Sequence, residues 1–234
     1  MAETKDAHID GRYPGSKMLA SAIRNWWIYR IILPIENTCI SLGITPNQLT
    51  ILGFLANCFA ALAFYNGYFF LGGTIIVLAG NLDFLDGRVA RRTGQVSTYG
   101  GYLDSVLDRY TDSILFIGLA GYFHESWVLF VILLALFGSI MVSYTRAKAE
   151  AIGVPCKVGL MQRAERIFYL GAGAILSSFV TTSLMPFVED PEQLPHYVLI
   201  TILGIIAILA NATAIYRIWH VITYLARQQS GNEP

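Results

Sequence analysis

The chain alternates long apolar stretches with short polar connections. Hydrophobic runs of about 20 residues, the length that crosses a bilayer as a helix, lie at 47–69, 71–90, 99–123, 127–144, 167–188 and 197–222. Each is predicted to be helical, because an unclosed sheet leaves backbone donors and acceptors unsatisfied in lipid. Ahead of them, SKMLASAIRNWWIYRIIL (16–33) sets Arg24, Trp26, Trp27, Tyr29 and Arg30 among aliphatic residues. That mixture predicts an amphipathic helix lying in the interface with its rings at headgroup depth, rather than a seventh span that would bury two arginines. GITPNQLT (43–50) is a helix start in which Pro46 fixes φ and Asn47 is placed to cap. The expected fold class is all-α integral membrane, six transmembrane helices preceded by an N-terminal interfacial helix.

Composition agrees: 55% of the residues are hydrophobic, mean hydropathy is +0.53 and only 14% are charged, against roughly 25% in soluble domains. No internal repeat, low-complexity tract or linker divides the chain, so residues 1–234 are expected to form one domain, with a six-helix bundle over 47–222 and a disordered tail over 228–234. EDPEQLP (189–195) reads as a polar outer turn. The polar N-terminus lacks the apolar core of a cleaved signal peptide. Cys39, Cys58 and Cys156 are an odd number without CxxC spacing and are expected to be reduced packing residues.

Formal net charge is zero, which gives no footprint for nucleic acid, but the positions of the charges are informative. All sixteen Lys and Arg residues fall in the N-terminal segment, the 2/3 connection, the start of the third span, the 4/5 connection or the C-terminal end. The connections FYNGYFF, FHES and MPFVEDPEQLPH have none. The positive-inside rule then sets both termini and the basic connections on the cytoplasmic side of a multi-pass cell-membrane protein.

Against this background NLDFLDGRVARRTG (81–94) stands out. Asp83 and Asp86 are three apart, and Asp104 and Asp108 on the next span are four apart, so each pair shares a helix face with Cβ atoms about 5–6 Å apart. At about 1.5 Å per residue, Asp83 lies about 14 Å inward from Arg92, and Asp104 and Asp108 lie about 9 and 15 Å inward from Thr98. The two pairs overlap in depth and can converge. Even one charge near the bilayer centre costs at least about 2.5–3.5 kcal/mol, so four carboxylates require positive charge. Arg109 points about 100° away from Asp108 around the helix, which suits a partner such as Asp112. Divalent cations are the other source, and all-oxygen ligation favours Mg²⁺, Mn²⁺ or Ca²⁺ over Zn²⁺. Two such ions would form a clamp for in-line displacement at phosphorus. Asp83, Gly87 and Ala90 also leave a bare stripe where a flat group can approach the backbone. Gly100 and Gly101 open the third span similarly, Gly101 serving equally well for close helix packing.

Asp83, Asp86, Gly87, Ala90, Arg91, Gly100, Asp104 and Asp108 fit without departure the pattern D-x-x-D-G-x-x-A-R-x8-G-x-x-x-D-x-x-x-D, and in this the chain resembles the CDP-alcohol phosphotransferases. The resemblance implies an enzyme of the class transferring substituted phosphate groups, with CDP-linked substrates bound in a cytoplasmic-facing intramembrane cleft and usually a homodimer. It implies that Asp83, Asp86, Asp104 and Asp108 hold Mg²⁺ or Mn²⁺, as two ions, and that Asp108 is also the general base. Asn47, Thr50, Asp83, Gly87, Ala90 and Arg91 would contact the CDP substrate.

That motif reports the donor rather than the acceptor. SYTRAKAE (143–150) followed by QRAER (162–166) resembles the corresponding stretches of prokaryotic phosphatidylinositol-phosphate synthases and their archaeal counterparts, with Gln162 where Glu is most expected. By that resemblance Arg146, Arg163 and Arg166 would hold the phosphate of an inositol phosphate, a role suited to guanidinium forks. The implied reaction carries a phosphatidyl group from CDP-diacylglycerol to inositol phosphate and releases CMP. Glycerol 3-phosphate as acceptor, a CDP-linked head group with diacylglycerol, and a divalent-cation channel or transporter are the alternatives. His124, His196 and His220 are given no role.

Overall fold

A computed structural model describes residues 27–187 and 196–229. Residues 16–26 of the expected interfacial helix and the turn at 189–195 lie outside the described residues. From Trp27 the chain is helical, passing through a π-helical turn, Ile28–Ile32, into α1, Leu33–Ser41. Six longer helices follow: α2 (Pro46–Tyr65), α3 (Phe69–Thr93), α4 (Thr98–Tyr122), α5 (Val128–Ala151), α6 (Arg163–Leu184, continued by a 3₁₀ turn, Met185–Phe187) and α7 (Tyr197–Gln229). No strand occurs among the described residues.

The caps explain several boundaries. α2 starts one residue before Asn47, because Thr45 rather than Asn47 is the cap. Thr45 Oγ1 accepts from Gln48 N–H, and Gln48 Oε1 accepts from Thr45 N–H at 2.9 Å, a reciprocal capping box with Pro46 at the first helical position. Asn47 is thereby released for another use. α5 runs on to Ala151 and α6 begins at Arg163, so Arg146, Arg163 and Arg166 are helical rather than in a connection. Helix α7 continues to Gln229, so the start of the expected tail is helical.

Among the described residues five helices, α2, α3, α5, α6 with its 3₁₀ turn, and α7, are long and apolar enough to cross a membrane. The chain is an integral membrane protein. α4 is as long as α3 but carries Asp104, Asp108, Arg109 and Asp112, which removes it from that apolar class. Large apolar side chains such as Phe59, Phe130, Phe137, Phe179 and Ile208 are exposed on the outside of the bundle, where a lipid-facing surface places them.

The six long helices close a ring, in which α2 packs on α3, α3 on α6, α6 on α7, α7 on α5, α5 on α4 and α4 back on α2. Close approach is made by residues without side chains. A Cβ on Gly73 would lie 2.6 Å from Gly171 O, and one on Gly118 would collide with the Ala61 backbone, so α3–α6 and α2–α4 meet backbone to backbone. The main core is concentrated in one half of the ring. It joins Ala60 and Phe64 to Phe69 and Ile76, Leu115 and Leu119, Val128 and Ile132, and Leu199 and Leu203. These come from the C-terminal halves of α2 and α4 and the N-terminal halves of α3, α5 and α7. The acidic residues occupy the other half. Cys39 and Cys156 are buried and Cys58 is partly buried, all three as free thiols, as expected.

Candidate active site

α3 ends at Gly94, whose φ of 69° permits the left-handed turn that reverses the chain. Three residues later Ser97 caps α4, its Oγ accepting from Gly100 N–H at 3.0 Å. This short reversal brings the end of α3 beside the start of α4. The two helices make few direct contacts with each other, both leaning instead on α2. The acidic residues converge in the gap between them.

One carboxylate oxygen from each of Asp83, Asp104 and Asp108 lies within 4.8 Å of the others. A divalent ion about 2.0–2.6 Å from each oxygen can span that separation, and the donor set is all oxygen, so the residues fit a hard divalent metal. Asp86 is placed differently. It is buried, and its Oδ2 accepts from Thr50 Oγ1 at 2.7 Å; it stands close enough to interact electrostatically with Asp83 and Asp104 without joining their oxygen cluster. Of the four expected ligands, three converge and the fourth is held beside them by α2.

The remaining donor-side residues line the same end. A Cβ on Gly100 would lie 3.1 Å from Asn47 Oδ1, so Asn47 reaches the first turn of α4. The Arg91 guanidinium lies across Gly87, with Nη1 3.4 Å from where a Cβ would stand. Ala90 is partly exposed. Gly101 meets nothing within 4 Å, which rules out the close packing considered for it among the described residues.

Positive charge comes from α6. Arg163 Nη1 is 2.7 Å from Asp83 Oδ2 and 2.9 Å from Asp108 Oδ1, bridging the two helices. Arg166 is 2% exposed and donates from Nη2 to Asp112 Oδ2 at 2.7 Å. The other Asp112 oxygen, Oδ1, is 3.7 Å from Arg163 Nε, and neither atom has a hydrogen-bond partner. The shared face of Arg163 and Arg166 therefore meets Asp112, which corrects the expectation for Arg109. Arg109 donates to Ser105 O and stands 3.7 Å from Asp108 Oδ2; the buried Asp112 is taken by a tertiary partner that helix spacing could not reveal. Arg146 is not brought to the cluster in this structure. It pairs along α5 with Glu150 at 2.9 Å, both half-exposed.

Two structural supports were not anticipated. Arg217, 2% exposed on α7, donates from Nε to Val158 O at 2.8 Å and from Nη1 to Val142 O at 2.5 Å. Thr213 accepts from Met161 N–H at 3.2 Å, and Arg166 donates to Met161 O. Together they pin the connection that delivers Arg163. An arginine inside an apolar run was the available signal. The second is Glu36, wholly buried and paired with Arg88 and Arg92.

The acidic cluster thus gathers toward one end of the helix ring, and the main apolar core fills the other. The model of the CDP-alcohol phosphatidyltransferase family matches residues 43–226. Over 149 residues the chain is 41% identical to the archaetidylinositol phosphate synthase of Methanothermobacter thermautotrophicus, covering 63% of this chain and 73% of that one. The crystal structure of Mycobacterium tuberculosis phosphatidylinositol phosphate synthase with CDP-DAG bound superposes with a TM-score of 0.68 at 31% identity, over 82% of this chain and 94% of that one. The same synthase in complex with manganese and citrate gives 0.70 at 31% identity, over 82% and 90%. This chain belongs to the CDP-alcohol phosphatidyltransferase family and is a phosphotransferase enzyme of phospholipid synthesis.

Proposed function

We propose that the protein transfers a phosphatidyl group from CDP-diacylglycerol to inositol phosphate and releases CMP. The observation that carries this reading is Arg163, a guanidinium seated at 2.7 and 2.9 Å on two carboxylates of the acidic cluster, where an anionic acceptor must come to meet the donor phosphorus. The naming of the relatives as archaetidylinositol and phosphatidylinositol phosphate synthases supports the same acceptor.

Asp83, Asp86, Asp104 and Asp108 would hold two Mg²⁺ or Mn²⁺ ions, which when bound supply positive charge to the pyrophosphate and the departing CMP. The acceptor hydroxyl gives its proton to Asp108 as its oxygen bonds to the β-phosphorus; the bond from that phosphorus to the CMP oxygen breaks in line. Gly87, Ala90 and Arg91 hold the cytidine nucleotide, with Asn47 beside them. Thr50 orients Asp86. Arg163 and Arg166 recruit the acceptor phosphate, with Arg146 at the mouth. In this reading α4 is the sixth span, its acids turned into the ring; 16–33 is an interfacial helix; the termini and cleft face the cytoplasm; and residues 1–234 act as one domain in a homodimer.

The test supplies labelled CDP-diacylglycerol with inositol phosphate, glycerol 3-phosphate, serine or free inositol in separate reactions. Lipid product with inositol phosphate is expected, and product with glycerol 3-phosphate alone would overturn the acceptor. Thr50→Val is expected to weaken Mn²⁺ binding by about tenfold, the scale on which partners of metal ligands act, with Thr50→Ser close to wild type; titration of the purified protein with Mn²⁺ checks this, and unchanged binding in Thr50→Val would remove Thr50 from the site.

A further inference from the structure

α1 carries one acidic residue, Glu36, and its carboxylate is 0% exposed. A buried carboxylate is costly unless paired, and this one is paired twice. Oε2 accepts from Arg88 Nε at 2.6 Å, and Oε1 accepts from Arg92 Nη1 at 3.0 Å. Arg92 Nη1 also donates to Asn37 Oδ1 at 2.8 Å. The Arg88 guanidinium lies 5.8 Å from the centre of the Phe84 ring, and Phe84 packs 5.2 Å from Trp27. Beneath these contacts Ile32, Cys39, Leu49, Leu85 and Val89 form a separate apolar cluster. The N-terminal helix is thus fixed to the half of α3 that bears the donor motif.

The spacing gives this anchor a consequence for the site. Arg88 and Arg92 are one turn apart, and each lies about 100° around the helix from its neighbour Gly87 or Arg91. Three arginines crowd this helix end, yet only Arg91 lies over Gly87; Arg88 and Arg92 are drawn to α1. On its other side the same helix end is held by Thr50 on Asp86. We propose that Glu36 is a positioning residue for the CDP-lipid: by holding Arg88 and Arg92 it sets the roll of α3 and keeps two guanidinium groups from competing for the donor's phosphates and for the acidic cluster. The inference rests on the donor reading given above.

Purified full-length Glu36→Gln keeps the side chain's size and removes its charge. It is expected to raise KM for CDP-diacylglycerol about tenfold and to weaken CMP binding, measured calorimetrically with Mn²⁺ present, by a similar factor, while KM for inositol phosphate stays within about twofold. Glu36→Asp is expected to recover part of the loss. Arg92 is about half-exposed at its side chain, so Arg92→Gln is the gentler variant if Glu36→Gln does not fold; it removes one competing guanidinium and reads the roll of α3 alone, with a smaller rise in donor KM. Unchanged donor KM and CMP affinity in these variants, or equal rises for both substrates, would reduce Glu36 to a structural anchor and overturn the proposal. Absence of CMP release by the wild-type protein in the same series would overturn the donor reading itself, and the proposal with it.

Discussion

Asp108→Asn is expected to lower kcat by about three orders of magnitude, within the range of about 10²–10⁴ that a positioned general base supplies. Asp108 stands where two demands meet. It is one of the three carboxylates whose oxygens converge, its side chain is 17% exposed, and it faces the guanidinium assigned to the acceptor. The amide keeps the shape but cannot take a proton from the incoming hydroxyl. Loss of a metal contact alone would be repaired by saturating Mn²⁺, so the variant should remain slow as Mn²⁺ is raised, with CDP-diacylglycerol still bound. CMP release followed over a Mn²⁺ series makes the distinction. Full recovery at high Mn²⁺ would assign Asp108 to metal binding and require another base.

Arg163→Ala should produce the next largest change, in two directions at once. A charge-assisted hydrogen bond contributes about 1.5–3 kcal/mol, so losing the guanidinium should raise KM for inositol phosphate by roughly 10–100-fold. Mn²⁺ affinity should instead improve, by about tenfold, because an ion entering the cluster must displace Arg163 from Asp83 and Asp108. The displaced guanidinium has a place to go: Asp112 Oδ1 and Arg163 Nε already face each other at 3.7 Å, both without hydrogen-bond partners. Direct Mn²⁺ titration and acceptor kinetics read the two effects separately. Weakened metal binding would mean that Arg163 supports the acidic cluster instead of competing with its metal.

Helical periodicity explains which parts of this site were legible beforehand. Asp104 and Asp108 share a face because they are four residues apart, and a short reversal between Thr93 and Thr98 sets the end of α3 beside the start of α4; both facts are local. Asp86 shares the motif but turns to Thr50, a choice made by a third helix. Arg109 shows the limit most clearly: spacing offered it Asp112, but Arg166, fifty-four residues further along the chain, holds that carboxylate. Glu36 in LPIENTCIS left almost no local trace, since its partners lie 52 and 56 residues away on α3. The cap at the start of α2 was misassigned for a smaller reason. Thr45 and Gln48 satisfy each other across the first turn, a reciprocal pattern that outcompetes Asn47. The closed ring was invisible as well, because the contacts of α2 with α4 and of α5 with α7 skip their neighbours in sequence.

The most direct test of the account is CMP release by purified protein given CDP-diacylglycerol, with Mn²⁺ and inositol phosphate each supplied or withheld. Rapid CMP release and formation of phosphatidylinositol phosphate only when both are present is the predicted result. Release that persists after the divalent metal is removed, or that proceeds equally well without any phosphorylated acceptor, would contradict it.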